Sequence, residues 1–289
     1  MPATKSAFSV ASQYSKTARM AAWVLTATRR LVRRYTGYDI HKYHPPLDYW
    51  ADISEILSKV GSVTAFDVGA NVGQTAHKLL QVFPTISIHA FEPSPSTFSE
   101  LSQAFAGCNN VTLNNCGVGS QKSEMDFIEN TFSDMSSFLE PGPQIWGDVK
   151  QRVKVPVITV DDYSVEKRIE HIHLLKIDTQ GFEFEVIKGA AGMLAEGRID
   201  LVLTEITFGQ LYEGLPRFDL VHAYLVQHGY RLTGVYDQAR KRRILNWADM
   251  MFASPSIVRE RLDGIGYATP EELITEAQAD AAFHDRCRD

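Results

Sequence analysis

Thr64-Ala-Phe-Asp-Val-Gly-Ala-Asn-Val-Gly73, running on into Gln74-Thr-Ala-His-Lys-Leu-Leu80, decides the fold. Residues 64–68 read as a buried strand, Gly69 and Gly73 punctuate a turn, and a helix continues from there to about Val82. Glycine has no Cβ and tolerates positive φ, so such a turn lets the backbone approach a ligand closely. Ile86-Ser-Ile-His-Ala-Phe91 then reads as a second strand that delivers the carboxylate of Glu92. An acid about 20 residues beyond the turn is the arrangement that grips a ribose in a nucleotide-binding βαβ unit. The plainer alternative is an ordinary strand–loop–helix connection in which the glycines serve only the turn.

The spacing within the turn separates two kinds of nucleotide. A pyrophosphate-binding turn reads G-x-G-x-x-G and meets phosphate with backbone amides. Here the pattern is Asp67-x-Gly69-x-Asn71-x-Gly73, with an acid inside it and Asn71 where a second glycine is wanted. A carboxylate there repels phosphate and attracts an ammonium group. The expected ligand therefore carries a ribose and a cationic head without phosphates, which describes S-adenosylmethionine.

The chain has 289 residues, 44% of them hydrophobic, enough for one α/β domain with extensions. A formal net charge of -6 argues against a globally basic nucleic-acid binder. Cys108, Cys116 and Cys287 make no C-x-x-C pair and no zinc spacing, and fit a reducing, cytoplasmic setting. No apolar run is long enough to span a bilayer.

Residues 1–46 form a basic extension. Met1 to Tyr38 contain no Asp or Glu but carry Lys5, Lys16, Arg19, Arg29, Arg30, Arg33 and Arg34. Over 17–35 a helical wheel puts Met20, Val24, Ala27, Leu31 and Tyr35 on one stripe with Trp23 at its edge. A basic amphipathic helix of this kind can lie on an anionic membrane surface, here the inner membrane face. Two alternatives stand beside that: a helix packed on the domain or a partner, and an organelle transit peptide.

Residues 47–255 read as one alternating α/β unit, and 256–289 as a C-terminal extension with a polar, Ala-rich helix. A helix is expected over 52–60 and another over 96–105, with strands at 111–116, 124–128, 172–178 and 201–206. Residues 130–150, rich in Ser, Pro and Gly, read as a loop over the site, and 153–160 as a short extended segment. Helices follow at 182–188 and 218–228, with a closing strand pair at 230–235 and 249–253. Apolar strands alternating with helices make a mostly parallel sheet covered on both faces. Ligands of such sheets sit beyond the carboxyl ends of the strands, at the switch in strand order.

Asp67, Glu92, Asp178 and Glu205 fall at those strand ends. The two oxygens of Glu92 suit a ribose diol, and Cys116 and Gly117 fall where an adenine ring is held. Asp178 is the leading catalytic candidate, with Glu205 on the neighbouring strand. Two carboxylates there serve as general base for a hydroxyl or as ligands of a divalent cation. The competing reading makes Asp178 a helix N-cap. Lys176 reads as the buried counter-ion of an acid. His171 and His173 fall at the amino end of that strand, away from the site, and His89 reads as a satisfied core histidine.

Together these motifs resemble the FkbM family of S-adenosylmethionine-dependent methyltransferases. The matching segments are Phe66-Asp-Val-Gly-Ala-Asn-Val-Gly-Gln74, Ala90-Phe-Glu-Pro-Ser94, Cys116-Gly-Val-Gly119, Ile158-Thr-Val-Asp-Asp162, Leu174-Leu-Lys-Ile-Asp-Thr-Gln-Gly-Phe-Glu183, Val186-Ile-Lys-Gly189 and Leu203-Thr-Glu205. The resemblance implies a class I, Rossmann-like fold with a seven-stranded sheet and helices on both faces. It implies O-methylation of a hydroxyl on a sugar, glycolipid, polysaccharide or related metabolite. It carries Asp67, Gly69, Asn71, Gly73 and Glu92 over as cofactor residues, with Asp178 at the methyl end. One position departs from the family, where Gln180-Gly181 stands in place of Glu-Gly, and this leaves the divalent cation and the base open. Two rival readings remain: a nicotinamide-dependent oxidoreductase, and a cofactor-binding or membrane-docking protein whose site has decayed. The acceptor is expected at residues 130–150, with Ser133, Ser136, Ser137, Phe138 and Trp146.

Overall fold

The computed structural model describes residues 48–241 and 243–262. The expected basic helix at 17–35, Cys287 and the residues of the C-terminal extension beyond 262 lie outside the described residues.

Helix α1 (Tyr49–Ile56) is capped by Asp48, whose carboxylate accepts from the Trp50 amide. Strand β1 (Val63–Val68) leads through the glycine turn into α2 (Gln74–Val82), which is followed by β2 (Ile86–Phe91). Helix α3 (Pro95–Ala104) starts where Ser94 caps the Thr97 amide and Pro95 takes the first helical position, its missing N–H costing nothing there. Strands β3 (Val111–Asn114), β4 (Gly117–Val118), β5 (Ser123–Asn130) and β6 (Val149–Ile158) follow. Helix α4 (Val160–Lys167), capped by Thr159, precedes β7 (Ile172–Ile177). The chain continues through α5 (Glu183–Lys188), α6 (Ala191–Ala195), β8 (Ile199–Thr207) and α7 (Phe218–Gln227). It closes with β9 (Arg231–Lys241), β10 (Ile244–Ala253) and α8 (Pro255–Arg261).

Seven strands form one sheet in the order β3-β2-β1-β7-β8-β10-β9. The pairings among β3, β2, β1, β7 and β8 are all parallel, and β10 runs antiparallel to both of its neighbours. Adjacent residues of one strand feed opposite faces. Leu175 and Ile177 join a core with Phe66, Phe91, Val186, Val202 and Phe252. Leu174 joins the other with Leu79, Ile88, Leu101, Leu203 and Met251. This is the class I, Rossmann-like α/β architecture. Strand order reverses between β1 and β7, so the crevice at their carboxyl ends is where a ligand belongs.

A second sheet, β4-β6-β5, stands beside the crevice. The segment between β5 and β6, the expected loop, carries a 3₁₀ turn at Ser133–Met135. It folds back on the site through Ser137, whose hydroxyl donates to the Gln180 carbonyl at 2.7 Å.

Several elements differ from the sequence expectation: α1 spans Tyr49–Ile56 against the expected 52–60, and β4 and α6 have no counterpart in it. Residues 160–167 are helical, where only an extended segment ending near 160 was expected; their buried apolar side chains are few, so the periodic signal is weak. Strands β9 and β10 reach to Lys241 and back to Ile244, far past the expected 235 and 249. Asp237, Gln238, Arg240 and Lys241 hide the outer part of β9, because an edge strand needs no apolar alternation.

Candidate active site

The turn after β1 is built by close approach. Gly69 has φ +83°, and a Cβ there would lie 1.8 Å from the Asp178 carbonyl oxygen. Asn71 also holds positive φ (48°), a conformation that asparagine tolerates better than most residues. Its backbone N–H donates to Glu92 Oε2 at 2.9 Å, and the Ser94 N–H donates to Oε1 at 2.9 Å. Each carboxylate oxygen thus uses one lone pair on the backbone and keeps another for the cavity. Burial raises Glu92 to about 7 against those two amides. Behind it Ser94, Ser96 and Gln151 donate to the buried Glu129 carboxylate.

A cavity of about 250 Å³ opens there, lined by Gly69, Asn71, Glu92, Cys116, Gly117 and Asp178 among others. Six of the residues expected from sequence are thereby brought together. Val118, Phe127 and Phe138 supply an apolar wall, and Ser133 and Ser136 reach in from the β5–β6 segment. Ser133 also donates to Asn71 Oδ1 at 3.1 Å. Ser137 is buried on the Gln180 carbonyl and Trp146 packs edge-on against Trp247 at 5.7 Å; neither lines the cavity.

Three expected residues stand behind the wall. Asp67 is fully buried beneath the turn, and neither carboxylate oxygen completes a hydrogen bond, although the Ala76 amide approaches it. Burial raises it to about 6, opposed by Lys176. Gly73 caps α2 with φ 98°, and a Cβ there would strike the Phe105 ring at 2.2 Å, so its smallness serves packing. Glu205 lies one strand further on, beyond Gln180.

Asp178 is held by two donors. Lys176 Nζ donates to Oδ2 at 2.8 Å and Gln180 Nε2 to Oδ1 at 2.9 Å. Burial works to raise Asp178, but the Lys176 charge and hydrogen bond, with Gln180, hold it below the usual aspartate range. Burial likewise works to lower Lys176, and is outweighed by Asp178 and Asp67, which hold the ammonium above the usual lysine range. Lys176 is therefore the counter-ion, as its position in the strand predicts. The N-cap position of α5 is Phe182 and Asp178 caps nothing; Glu183 takes the Thr179 and Gly181 amides instead.

Gln180 is the hub. Its Nε2 also reaches Glu205 Oε1 at 3.4 Å, and its Oε1 accepts from the Tyr212 hydroxyl at 2.9 Å. Burial, then Asp178 and Glu183, raise Glu205 to about 9, so it is protonated at neutral pH. Asp249, opposite Glu205 on β10, is raised to about 6 by burial and by Asp178. Tyr212 and Asp249 carry no signal in sequence: Asp249 joins the site through the pairing of β10 with β8, and Tyr212 through the segment after β8 that bridges to Pro141.

The histidines fall where expected. His89 is raised on no catalytic surface: its Nδ1 meets the Tyr163 hydroxyl at 3.0 Å, and burial lowers it to about 4. His171 and His173 cluster with Asp200 at the opposite, amino end of β7. The Thr64 N–H donates to His173 Nδ1, which leaves the ring hydrogen on Nε2 and no lone pair there for a metal.

An α/β domain with an acid-flanked cavity at its switch point is the form in which nucleoside cofactors are bound. The family model for the "Methyltransferase FkbM domain" matches residues 67–232, more than half of the chain. The protein belongs to the FkbM methyltransferase family and is an S-adenosylmethionine-dependent methyltransferase. That finding removes the oxidoreductase reading. The chain is 27% identical over 203 residues to the 2-O-methyltransferase NoeI of Sinorhizobium fredii, covering 63% of this chain and 82% of that protein. It is 25% identical over 141 residues to Methyltransferase 1 of Beauveria bassiana, covering 43% of this chain and 56% of that one. Aeropyrum pernix fibrillarin, solved with bound S-adenosyl-L-methionine, matches loosely at 12% identity and TM-score 0.39, covering 70% and 74% of the two chains.

The residues fit this cofactor: an apolar wall of Val118, Phe127 and Phe138, and a Glu92 carboxylate with spare lone pairs. The Asp178 donor set does not fit a divalent cation, because an ammonium and an amide N–H₂ already face its two oxygens.

Proposed function

We propose that the protein transfers a methyl group to a hydroxyl of a sugar, glycolipid, polysaccharide or related metabolite, with Asp178 receiving the hydroxyl proton. The observation that carries this reading is Asp178 itself, an ionised carboxylate opening on the same cavity as the ribose-type acceptor Glu92. The relative whose name records 2-O-methylation supports an oxygen nucleophile.

When bound, S-adenosylmethionine supplies a methyl group on a sulfonium whose departure leaves a neutral thioether. Glu92 would grip the ribose hydroxyls through the lone pairs that the Asn71 and Ser94 amides leave unused. Cys116, Gly117 and Val118 would hold the adenine, and Phe138, packed on Gly117, adds to the apolar wall. Asp67 acts beneath the turn by its negative field and not by contact, since it is sealed from the cavity. Asp178 accepts a hydrogen bond from the acceptor hydroxyl and sets it in line, which is the larger part of the task. A carboxylate of depressed pKa is a weak base. It suffices here because a hydroxyl oxygen gaining a third bond becomes strongly acidic as the new bond forms. Protonated Glu205 stands behind Gln180 and cannot take that proton at neutral pH. Ser133 and Ser136 border the acceptor side.

Mass spectrometry of glycolipids and polysaccharides from cells with and without the gene tests this reading. One glycan species lighter by a single CH₂ in the deleted strain is expected; an unchanged glycan pool with a methylated amine missing instead overturns it.

A further inference from the structure

The β9–β10 turn projects from the same side of the sheet onto which the active site opens. Along β10, Asp249 pairs with Glu205 and Trp247 with Thr207, so the strand runs outward from the acid cluster to Ile244. Five residues at about 3.3 Å each put the turn roughly 16 Å beyond Asp249. Lys241 and Arg243 are exposed and make no ion pair among the described residues, and Ile244 is 74% exposed. In sequence the turn reads Arg240-Lys-Arg-Arg-Ile244, a cationic run in a chain of net charge -6.

Exposed apolar side chains gather on the same side. Phe208 donates its backbone N–H to the Asn246 carbonyl at 2.7 Å, which fixes it at the base of the turn, 41% exposed. Trp146, 50% exposed, stands on Trp247, and Phe132 in the same segment is 58% exposed. A run of cations carrying an exposed isoleucine, flanked by tryptophan and phenylalanine, is the composition that seats at a lipid–water boundary: cations at the headgroups, the apolar tip below, the indoles at the interface.

We infer that the β9–β10 turn, with Lys241, Arg243 and Ile244 at its tip, docks the enzyme on anionic phospholipid so that the active site faces a lipid-borne acceptor. The inference rests on the sugar- or glycolipid-hydroxyl reading only for the acceptor; the docking itself needs none. An overall acidic protein is repelled by an anionic bilayer except where such a local cationic patch leads. The roughly 16 Å between tip and acid cluster leaves room for a headgroup and one or more sugar rings between the membrane plane and the methyl end.

The test is sedimentation of the full chain with phosphatidylcholine vesicles containing about one-third phosphatidylglycerol, against phosphatidylcholine alone. The wild-type chain is expected to partition to the anionic vesicles and to be released when salt shortens the screening length to about 3 Å. The triple substitution Lys241→Glu, Arg243→Glu, Ile244→Ser should lower that partition at least tenfold, since each cation contributes on the order of 1 kcal/mol. S-Adenosylhomocysteine affinity, measured by calorimetry on the same proteins, should stay within about two-fold and show the site intact. Equal partition of variant and wild type overturns the inference and assigns any binding to the basic residues before Tyr38. Binding of a fluorescent RNA oligonucleotide that the triple substitution abolishes, with no vesicle partition, also overturns it in favour of a nucleic-acid surface. Vesicle binding is read without acceptor or turnover, so its failure leaves the proposed reaction untouched, and failure of that reaction leaves the docking standing.

Discussion

Gln180 donates through one nitrogen to both Asp178, at 2.9 Å, and Glu205, at 3.4 Å. A neutral amide at this point does what a carboxylate cannot, separating an ionised acid from a protonated one while its carbonyl accepts from Tyr212. The backbone at Gln180 is left-handed, φ 56°, so the side chain is presented at the cost of strain the surrounding contacts sustain. Restoring the family's acid by Gln180→Glu should remove the donor from both neighbours and place a third carboxylate beside them. Loss of about 1–3 kcal/mol of stability is expected, read as a lowered melting temperature at pH 8 that recovers at pH 5 as the acids protonate.

Asp178→Asn keeps the shape of the site and removes the proton acceptor. Turnover should fall by roughly 100-fold or more while S-adenosylhomocysteine affinity stays within a few-fold. The amide leaves Lys176 without its carboxylate, so a thermal scan must accompany the assay. Wild-type turnover in a folded variant removes Asp178 from the mechanism.

Glu92 titrates at about 7, raised chiefly by burial. The ionised form has two acceptor oxygens for a diol, and the protonated form spends one of them as a donor. Cofactor affinity of the apo protein should therefore strengthen as pH rises from 6 to 8 and level off above it. Isothermal calorimetry in that window checks the sign. Glu92→Gln should flatten the profile and weaken binding by about tenfold or more, because the amide N–H₂ meets a backbone donor, Asn71 or Ser94.

Glu205 is raised to about 9 in the fold, above the ordinary unfolded value near 4.3. The native state then holds a proton that the unfolded chain releases, so stability falls as pH rises between those values. Glu205→Gln should lift stability at pH 8–9 by about 1–2 kcal/mol relative to wild type and leave it little changed near pH 4. Urea denaturation at the two pH values measures the difference. A variant less stable at pH 9 than the parent contradicts a protonated Glu205.

Much of this site is legible one-dimensionally because its parts are local. The turn from Asp67 to Gly73, the acid closing β2 and the acid closing β7 each sit at a strand end, and a parallel sheet brings strand ends together. Gly69 and Gly73 announce positive φ by residue type alone, whereas the positive φ of Asn71 shows only in the fold. What failed to show was whatever needs a second segment to give it meaning. Asp67 and Glu92 look alike in sequence, yet one is sealed beneath the turn and the other lines the cavity. Helix α4 has too few apolar positions to be periodic, and the outer half of β9 is polar because an edge strand faces water.

By itself, then, the sequence determined the alternation of strands and helices, the glycine turn after β1 and the acids at the strand ends. These depend on local periodicity, on glycine and on proline, whose conformational limits act within a few residues. The tertiary structure alone decided that Asp178 is ionised and Glu205 protonated, because charge state follows from burial and from the company of Lys176, Gln180 and Tyr212. It alone decided which turn carries the exposed cations and isoleucine past the mouth of the site, because exposure belongs to the packed sheet and to no residue taken singly.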